Sequence, residues 1–463
     1  MAVHAQPDRT QYRLIITRRG ATEVLLSTEG RLPSLDVLAG TRFAEQLVTG
    51  AREKCRLETY CLFAGGLAPS SSAAPPDRFA VMQTIHHDDP APNGTAWTSS
   101  TAAASGGVPL PADQVVLRGA LEELARKTTL AEAEPFARPG WIGNLFRWVQ
   151  GQIEPLGLSL TGAFEQLNAA PSFSLLRIET TGTAVWFKAV GEPNARERAI
   201  SVALGRLFPS YVPPVLGVHP VWNGWLTAEA AGPSLGASSR PEAWAGAVRA
   251  LGELQIASIT STELLLESGC RDLRLDQLAR QVEPFLTRTK ELMAVQVKQS
   301  PRILTDSEIR FLGNRLIDAL GELGECGIPD TLGHLDPNPQ NIMASPNGCC
   351  FLDWAEGSVT HPFFTFEYVC EHASRAFASR DEVRETLLAA YLPLWQPLFL
   401  PDTLASALSL TPLLAVFACA ANSNSGSPES FENPAFAGYF RSLARRAYRE
   451  AEKLAARSDR CLS

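Results

Sequence analysis

The chain has 463 residues, 45% of them hydrophobic and 19% charged, with a formal net charge of −8. That length exceeds one ordinary domain and suits two or three with ample core, and the acidic balance argues against broad binding to nucleic acid or anionic membrane, both of which reward basic surface. No run of about 18 apolar residues stands out as a membrane span.

Residues 1–10 are polar and lead into strand-like sequence, so they do not read as a signal peptide. Residues 12–27 alternate apolar and polar around Arg19-Gly20, a hairpin pattern. Residues 41–55 carry helical periodicity through Phe43, Leu47 and Ala51, and residues 57–63 and 78–86 read as further strands. Residues 88–111 are rich in Ala, Pro, Ser, Thr and Gly, and the expectation there is a mobile loop. Residues 116–127 form a helical pattern with Leu117, Leu121 and Leu124 on one face. Residues 135–140 are the expected domain boundary, followed by a helix over residues 141–153 with Trp141 and Trp148 on a shared face.

From residue 158 the pattern changes. Residues 163–168, 173–180 and 184–190 read as three consecutive strands, 194–207 as a helix and 224–229 as another strand. After Pro241 the chain is mostly helical, broken by a loop and hairpin over residues 333–356. The pattern predicts an α+β protein: a small α+β domain over residues 1–135, a strand-rich small lobe over 136–235 and a helical large lobe over 236–463. The nine cysteines are odd in number and form neither a CxxC pair nor a zinc-ligand spacing with histidine. They read as reduced thiols of a cytoplasmic protein.

The chemistry concentrates in His334-Leu335-Asp336-Pro337-Asn338-Pro339-Gln340-Asn341, followed a short step later by Phe351-Leu352-Asp353-Trp354. Phosphoryl transfer needs a carboxylate near the attacking hydroxyl and oxygen ligands that hold magnesium on the nucleotide phosphates. Pro337 and Pro339 keep the loop extended, and the apolar residues 350–352 would bury as a strand and present Asp353 at its end. Asp and Asn beside Pro also serve ordinary turns. That reading leaves unexplained why a second carboxylate follows a buried strand.

This segment resembles the catalytic loop of the aminoglycoside phosphotransferase family, His-x-Asp-x-x-x-x-Asn, then a strand, then Asp, over roughly residues 140–460. The resemblance implies a protein-kinase-like fold and an ATP- or GTP-dependent, Mg2+-dependent transfer to a hydroxyl of a small molecule. By that likeness Asp336 is the catalytic carboxylate, His334 braces the loop, and Asn341 and Asp353 are the magnesium ligands. Lys188, in the apolar strand Ala184-Val185-Trp186-Phe187-Lys188-Ala189-Val190, would grip the phosphates, with Glu197 of the next helix as its partner. Thr227, Ala228, Glu229 and Ala230 would form the hinge whose backbone receives the base.

Three departures stand beside the likeness. No GxGxxG lies between the first two small-lobe strands, Leu335 replaces the family's usual glycine, and Asn338 its frequent histidine. His361 stands where the family often has Gly-Asp-Pro, and reads as structural; Glu356 reads either as a ligand or as a solvated loop residue. A rival reading is a pseudokinase that senses a nucleotide or binds a partner. Residues of roughly 10–130 faintly resemble a Nudix fold without its glutamate cluster, since the helix has only Glu45 and Glu53. That unit is therefore expected to be non-catalytic, and a protein partner for it is left open; neither nucleic acid nor membrane is expected as a partner.

Overall fold

A computed structural model describes residues 9–38, 42–67, 77–129, 134–346, 348–424 and 428–462. The chain divides into two compact units, residues 1–198 with 214–229, and residues 199–213 with 230–463.

The first unit holds two sheets. Strands β1 (Arg9–Arg18), β2 (Glu23–Ser27), β3 (Ser34–Leu38), β4 (Thr59–Leu67), β5 (Asp77–Thr84) and β6 (Thr95–Ser99) form one sheet in the order β4-β5-β1-β2-β6, with β3 also on β1. Strand β1 runs parallel to β5; its first half pairs antiparallel with β3 and its end with β2. Both faces of this sheet are covered. Leu14 and Ile16 point to the helix Phe43–Cys55 and pack with Leu47 and Ala51, whereas Ile15 packs with Val116, Leu117 and Leu124 of the helix Pro111–Thr129. A strand buried on both faces loses its polar alternation, which explains the unbroken Leu14-Ile15-Ile16 run.

One expectation is corrected here, and one strand is added. Residues 95–99, read as part of a mobile loop, form β6, which pairs antiparallel with β2 through Leu25 opposite Trp97, and residues 100–107 continue as short helical turns. Its Ala, Ser and Thr residues hide a strand whose stability comes from its partner rather than from propensity. The sequence after Leu32-Pro33 enters β3 before the helix starts at Phe43.

The second sheet contains β7 (Leu160–Ala170), β8 (Phe173–Thr180), β9 (Val185–Ala189), β10 (Val215–Val218) and β11 (Gly224–Ala228), all antiparallel, in the order β10-β11-β9-β8-β7. The helix Trp141–Ile153 buries Trp141, Leu145 and Val149. These join one hydrophobic cluster with Ile15 and Phe79 of the first sheet, with Leu117 of the helix that covers it, and with Phe187 and Leu226 of the second sheet. The short β10 escapes a sequence reading because Pro213 and Pro214 precede its four residues.

The second unit is mainly helical. Its core collects Leu251 and Leu254 of the helix Pro241–Ser258, Phe285 of Leu275–Ala294, Leu316 of Asp306–Glu325 and Phe363 of Pro362–Ala376. The helix Asp306–Glu325 starts at a capping box, in which Thr305 accepts from the Glu308 N–H and Glu308 accepts from the Thr305 N–H. Among the described residues one helix, Pro401–Ser423, is long and apolar enough to cross a membrane, contrary to the expectation that no such run exists. Thr403, Ser406, Ser409 and Thr411 interrupt its apolar run in the sequence. The most apolar stretch is 67% buried within the protein, where Leu413, Leu414 and Phe417 are core residues, so it serves as a core helix.

Candidate active site

The second unit carries the loop motif on two small sheets. Strands β12 (Arg271–Leu273), β13 (Thr331–His334) and β16 (Gly357–Thr360) pair in the order β12-β16-β13, and β14 (Ile342–Ser345) with β15 (Gly348–Phe351) forms a hairpin. The chain entering this hairpin is pinned by Gly232, whose positive φ of 88° and close approach to the Ala344 carbonyl leave no room for a Cβ. The Ala344 N–H then donates to the Pro233 carbonyl at 3.0 Å.

His334 ends β13 and is 2% exposed. Its Nδ1 accepts from the Asp336 N–H at 3.2 Å, which puts the ring proton on Nε2. Nε2–H donates to the Leu352 carbonyl at 3.0 Å. One imidazole thus holds the backbone of Asp336 and of the residue before Asp353. Burial lowers its pKa below the ordinary value, which keeps this neutral form. The Leu352 N–H donates to the Asn341 carbonyl at 2.8 Å, and the Asn341 N–H to the Asn338 carbonyl at 2.7 Å. Asp336, Asn341 and Asp353 are therefore tied into one loop cluster through backbone groups, and the two aspartates are exposed.

Asp353 has φ 64° and ψ 62°, the left-handed region that Asp and Asn tolerate better than other side chains. This turn follows β15 by two residues. The Trp354 indole N–H donates to the Phe351 carbonyl at 3.1 Å, and the Trp354 ring lies 4.7 Å from that of His334.

The departures from the family pattern find structural roles. Leu335 is buried, with 7% exposed, in the core of its unit. Asn338 Oδ1 accepts from the Gln340 N–H at 3.0 Å and caps the turn Pro339–Asn341. His361 is fully buried and caps the helix Pro362–Ala376, its Nδ1 accepting from the Phe363 N–H. Glu356 accepts from the Asn422 side-chain amide at 2.7 Å. Asn422 lies far away in the sequence and carries no motif, so nothing there marked it.

The first unit carries the other candidate residues. On β9, Val185, Phe187 and Ala189 are buried, and Lys188 leans to the opposite face. Its Nζ lies 2.5 Å from Glu197 Oε1, in a pair whose side chains are 18% and 2% exposed. Lys188 Nζ also sits 6.0 Å from the ring centre of Trp225, its cross-strand partner on β11. Glu197 opens the helix Glu197–Leu207, where a carboxylate is favoured by the helix dipole.

Thr227 and Ala228 end β11, and Glu229 follows. The Ala228 N–H donates to the Pro214 carbonyl at 2.9 Å and the Glu229 N–H to the Ala184 carbonyl at 3.1 Å, so both groups are engaged with the chain itself. The Glu229 carboxylate accepts from Arg177 at 2.6 and 3.2 Å and from the Trp186 indole at 3.4 Å. The Arg177 hydrogen bond holds its pKa below the usual carboxylate value. Its side chain thus locks the sheet, a role the sequence did not signal because Arg177 lies on a different strand. Ala230 is the first residue of the second unit's main segment.

Residues 220–400 match the profile of the APH phosphotransferase enzyme family. No curated protein matches the chain. Among solved structures it is similar to a macrolide 2′-phosphotransferase from Brachybacterium faecium, at 15% identity over 64% of this chain and 97% of the other, with a TM-score of 0.44. It is also similar to an ethanolamine kinase from Plasmodium vivax, at 14% identity over 65% and 85% with a TM-score of 0.44. A choline kinase from Cryptosporidium parvum matches at 12% identity over 69% and 94%, with a TM-score of 0.46. These likenesses are low, and the family rests on the matched segment; the match does not reach the six-stranded sheet, whose Nudix likeness gains no support. The part of the chain that matches the phosphotransferase enzyme family, residues 220–400, is the part that carries the His334–Asn341 loop and Asp353.

Proposed function

We propose that the protein is an ATP- or GTP-dependent, Mg2+-dependent phosphotransferase acting on a hydroxyl group of a small molecule. The observation that carries this reading is the double hold of His334 on the Asp336 N–H and the Leu352 carbonyl, which fixes two exposed carboxylates from separate segments in one cluster.

The donor set fits magnesium. Asp353 and Asn341 offer oxygen atoms, and magnesium binds through one or two protein oxygens while phosphates and water complete its shell. Among the described residues no group of three or more His, Cys, Asp or Glu side chains forms a separate metal cage. Bound there, the ion would neutralise charge on the transferring phosphoryl group. Asp336 orients the acceptor hydroxyl and takes its proton as the oxygen attacks the γ-phosphorus, whose bond to the β,γ-bridging oxygen breaks to release the nucleoside diphosphate. His334, neutral and buried, keeps the Asp336 backbone fixed during that step. Lys188 pairs with phosphate oxygens, and Glu197 holds the ammonium in place. The expected setting is the cytoplasm.

The test is calorimetry with ATP and GTP, with and without magnesium, on wild type, Asp353→Asn and Asp336→Asn. Asparagine is the right replacement at position 353 because it tolerates the left-handed backbone. Magnesium-dependent binding lost in Asp353→Asn and kept in Asp336→Asn supports the reading and directs a screen of hydroxylated acceptors. Absence of binding at millimolar nucleotide would refute it. A second reading, a partner-binding pseudokinase, draws on one observation: the N–H groups of Ala228 and Glu229 are already engaged, which leaves fewer donors for a base.

A further inference from the structure

The first unit contains a cavity of about 1230 Å³, formed by the β1–β2 turn, the helical turns after β6, the helix Pro111–Thr129, the segment before the helix Trp141–Ile153, and Trp222. None of Lys188, Glu197, Thr227, Ala228 or Glu229 lines it. Ligand pockets for drug-sized molecules are roughly 300–1000 Å³, so a small organic molecule fits with room to spare.

Its floor is aromatic. Trp222 is half-buried and lies 6.2 Å from Trp141 and 5.3 Å from Phe136, in edge-on geometry. Stacking of Trp222 on His219 at 4.1 Å, and its contact with Phe187 at 6.2 Å, fix the ring before any ligand arrives. Leu121 and Leu124 continue the apolar surface. Two exposed guanidinium groups, Arg118 and Arg138, also line the cavity. Arg118 donates to the Ala104 carbonyl at 3.4 Å, and among the described residues neither arginine has a carboxylate partner. Glu122 is the one acidic lining residue. Rigid aromatic rings and arginines without a carboxylate partner lining one cavity recognise a flat apolar group that carries an anion, because stacking holds the ring and a guanidinium holds a carboxylate, sulfonate or phosphate.

We infer that this cavity is a binding site for a small aromatic anion, separate from the residues assigned to phosphoryl transfer. Its walls come from both the six-stranded sheet region and the segment that leads into the five-stranded sheet, and ligand sites favour such junctions. The inference does not depend on the proposed enzymatic activity, since the site is read out by binding alone.

The experiment uses 8-anilinonaphthalene-1-sulfonate, an aryl sulfonate, as a fluorescent probe on the full chain. Wild type is compared with Arg118→Gln/Arg138→Gln, which removes the charges, and with Ala125→Trp, which fills the cavity from an exposed helix position. The expected result is saturable one-site binding, weakened at least about tenfold in the double variant, as loss of charge-assisted hydrogen bonds implies, and abolished in Ala125→Trp, with unchanged melting temperatures and with ATP and magnesium failing to displace the probe. Non-saturable binding, equal affinity in all three proteins, or displacement by nucleotide would overturn the inference. If a variant melts early, Thr128→Trp, at another exposed lining position, replaces it with the same expected loss.

Discussion

Replacing Gln166 with leucine should destabilise the first unit severely, although the change is apolar and nearly isosteric. Gln166 lies on β7 and is 1% exposed. Its Oε1 accepts from the Cys61 N–H at 2.7 Å, and its Nε2–H donates to the Cys61 carbonyl at 2.9 Å. Cys61 belongs to β4, the edge strand of the six-stranded sheet, next to a register shift between Cys61 and Phe63. An edge strand has backbone groups with no neighbouring strand to receive them. The glutamine amide stands in for that strand at one residue. Leucine would leave one buried N–H and one buried C=O without partners, at a cost of about 1–3 kcal/mol each, or roughly 2–6 kcal/mol together. That is a large share of the typical stability of about 5–15 kcal/mol. Urea unfolding followed by tryptophan fluorescence reports on this region, because Trp141 and Trp148 lie in the same unit. A Gln166→Leu protein that unfolds within about 0.5 kcal/mol of wild type would refute the reasoning, since a loss that small lies in the range of ordinary surface substitutions.

Glu197→Gln should weaken nucleotide binding about tenfold or more, because Lys188 loses a charged partner at 2.5 Å worth about 1.5–3 kcal/mol; unchanged affinity by calorimetry would show that Lys188 needs no brace. Acid should destabilise the second unit. Burial pushes His361 down to about 3 from 6.5, so below pH 6.5 the unfolded chain binds a proton that the folded protein refuses. Its contribution is complete above pH 6.5, falls by about 2 kcal/mol at pH 5 and keeps falling toward pH 3. His334, also lowered by burial, acts in the same direction. In His361→Asn, which keeps a side-chain acceptor for the Phe363 N–H, unfolding curves between pH 7 and 5 should flatten; an unchanged acid slope would rule out this origin.

The loop from His334 to Asn341 was legible because its chemistry sits in consecutive residues and its prolines exclude a helix. The strand before Asp353 was legible too, since Cys350, Phe351 and Leu352 form an apolar run, although β15 itself spans Gly348–Phe351. Lys188 announced itself as a charge within an apolar strand, and a buried acid had to answer it. What stayed hidden depends on distant pairing. Arg177 and Glu229 look like ordinary surface charges until β8 and the end of β11 come together. Gln166 reads as a polar strand residue until Cys61 is beside it. The strand β6 has a composition that disfavours order and forms on the template of β2.

The shared cluster in the first unit bears on ancestry. Ile15, Phe79 and Leu117 belong to the same buried group as Val149, Leu176, Phe187 and Leu226. A crossover near Pro135 would join a new N-terminal half to apolar surface shaped for the old one, beginning at Phe136 and Ala137. Modules that meet through hinges can be exchanged freely between lineages; the strands ahead of the helix Trp141–Ile153 can change only in step with the sheet that carries Lys188. Substitutions on the two sides of that cluster are energetically coupled.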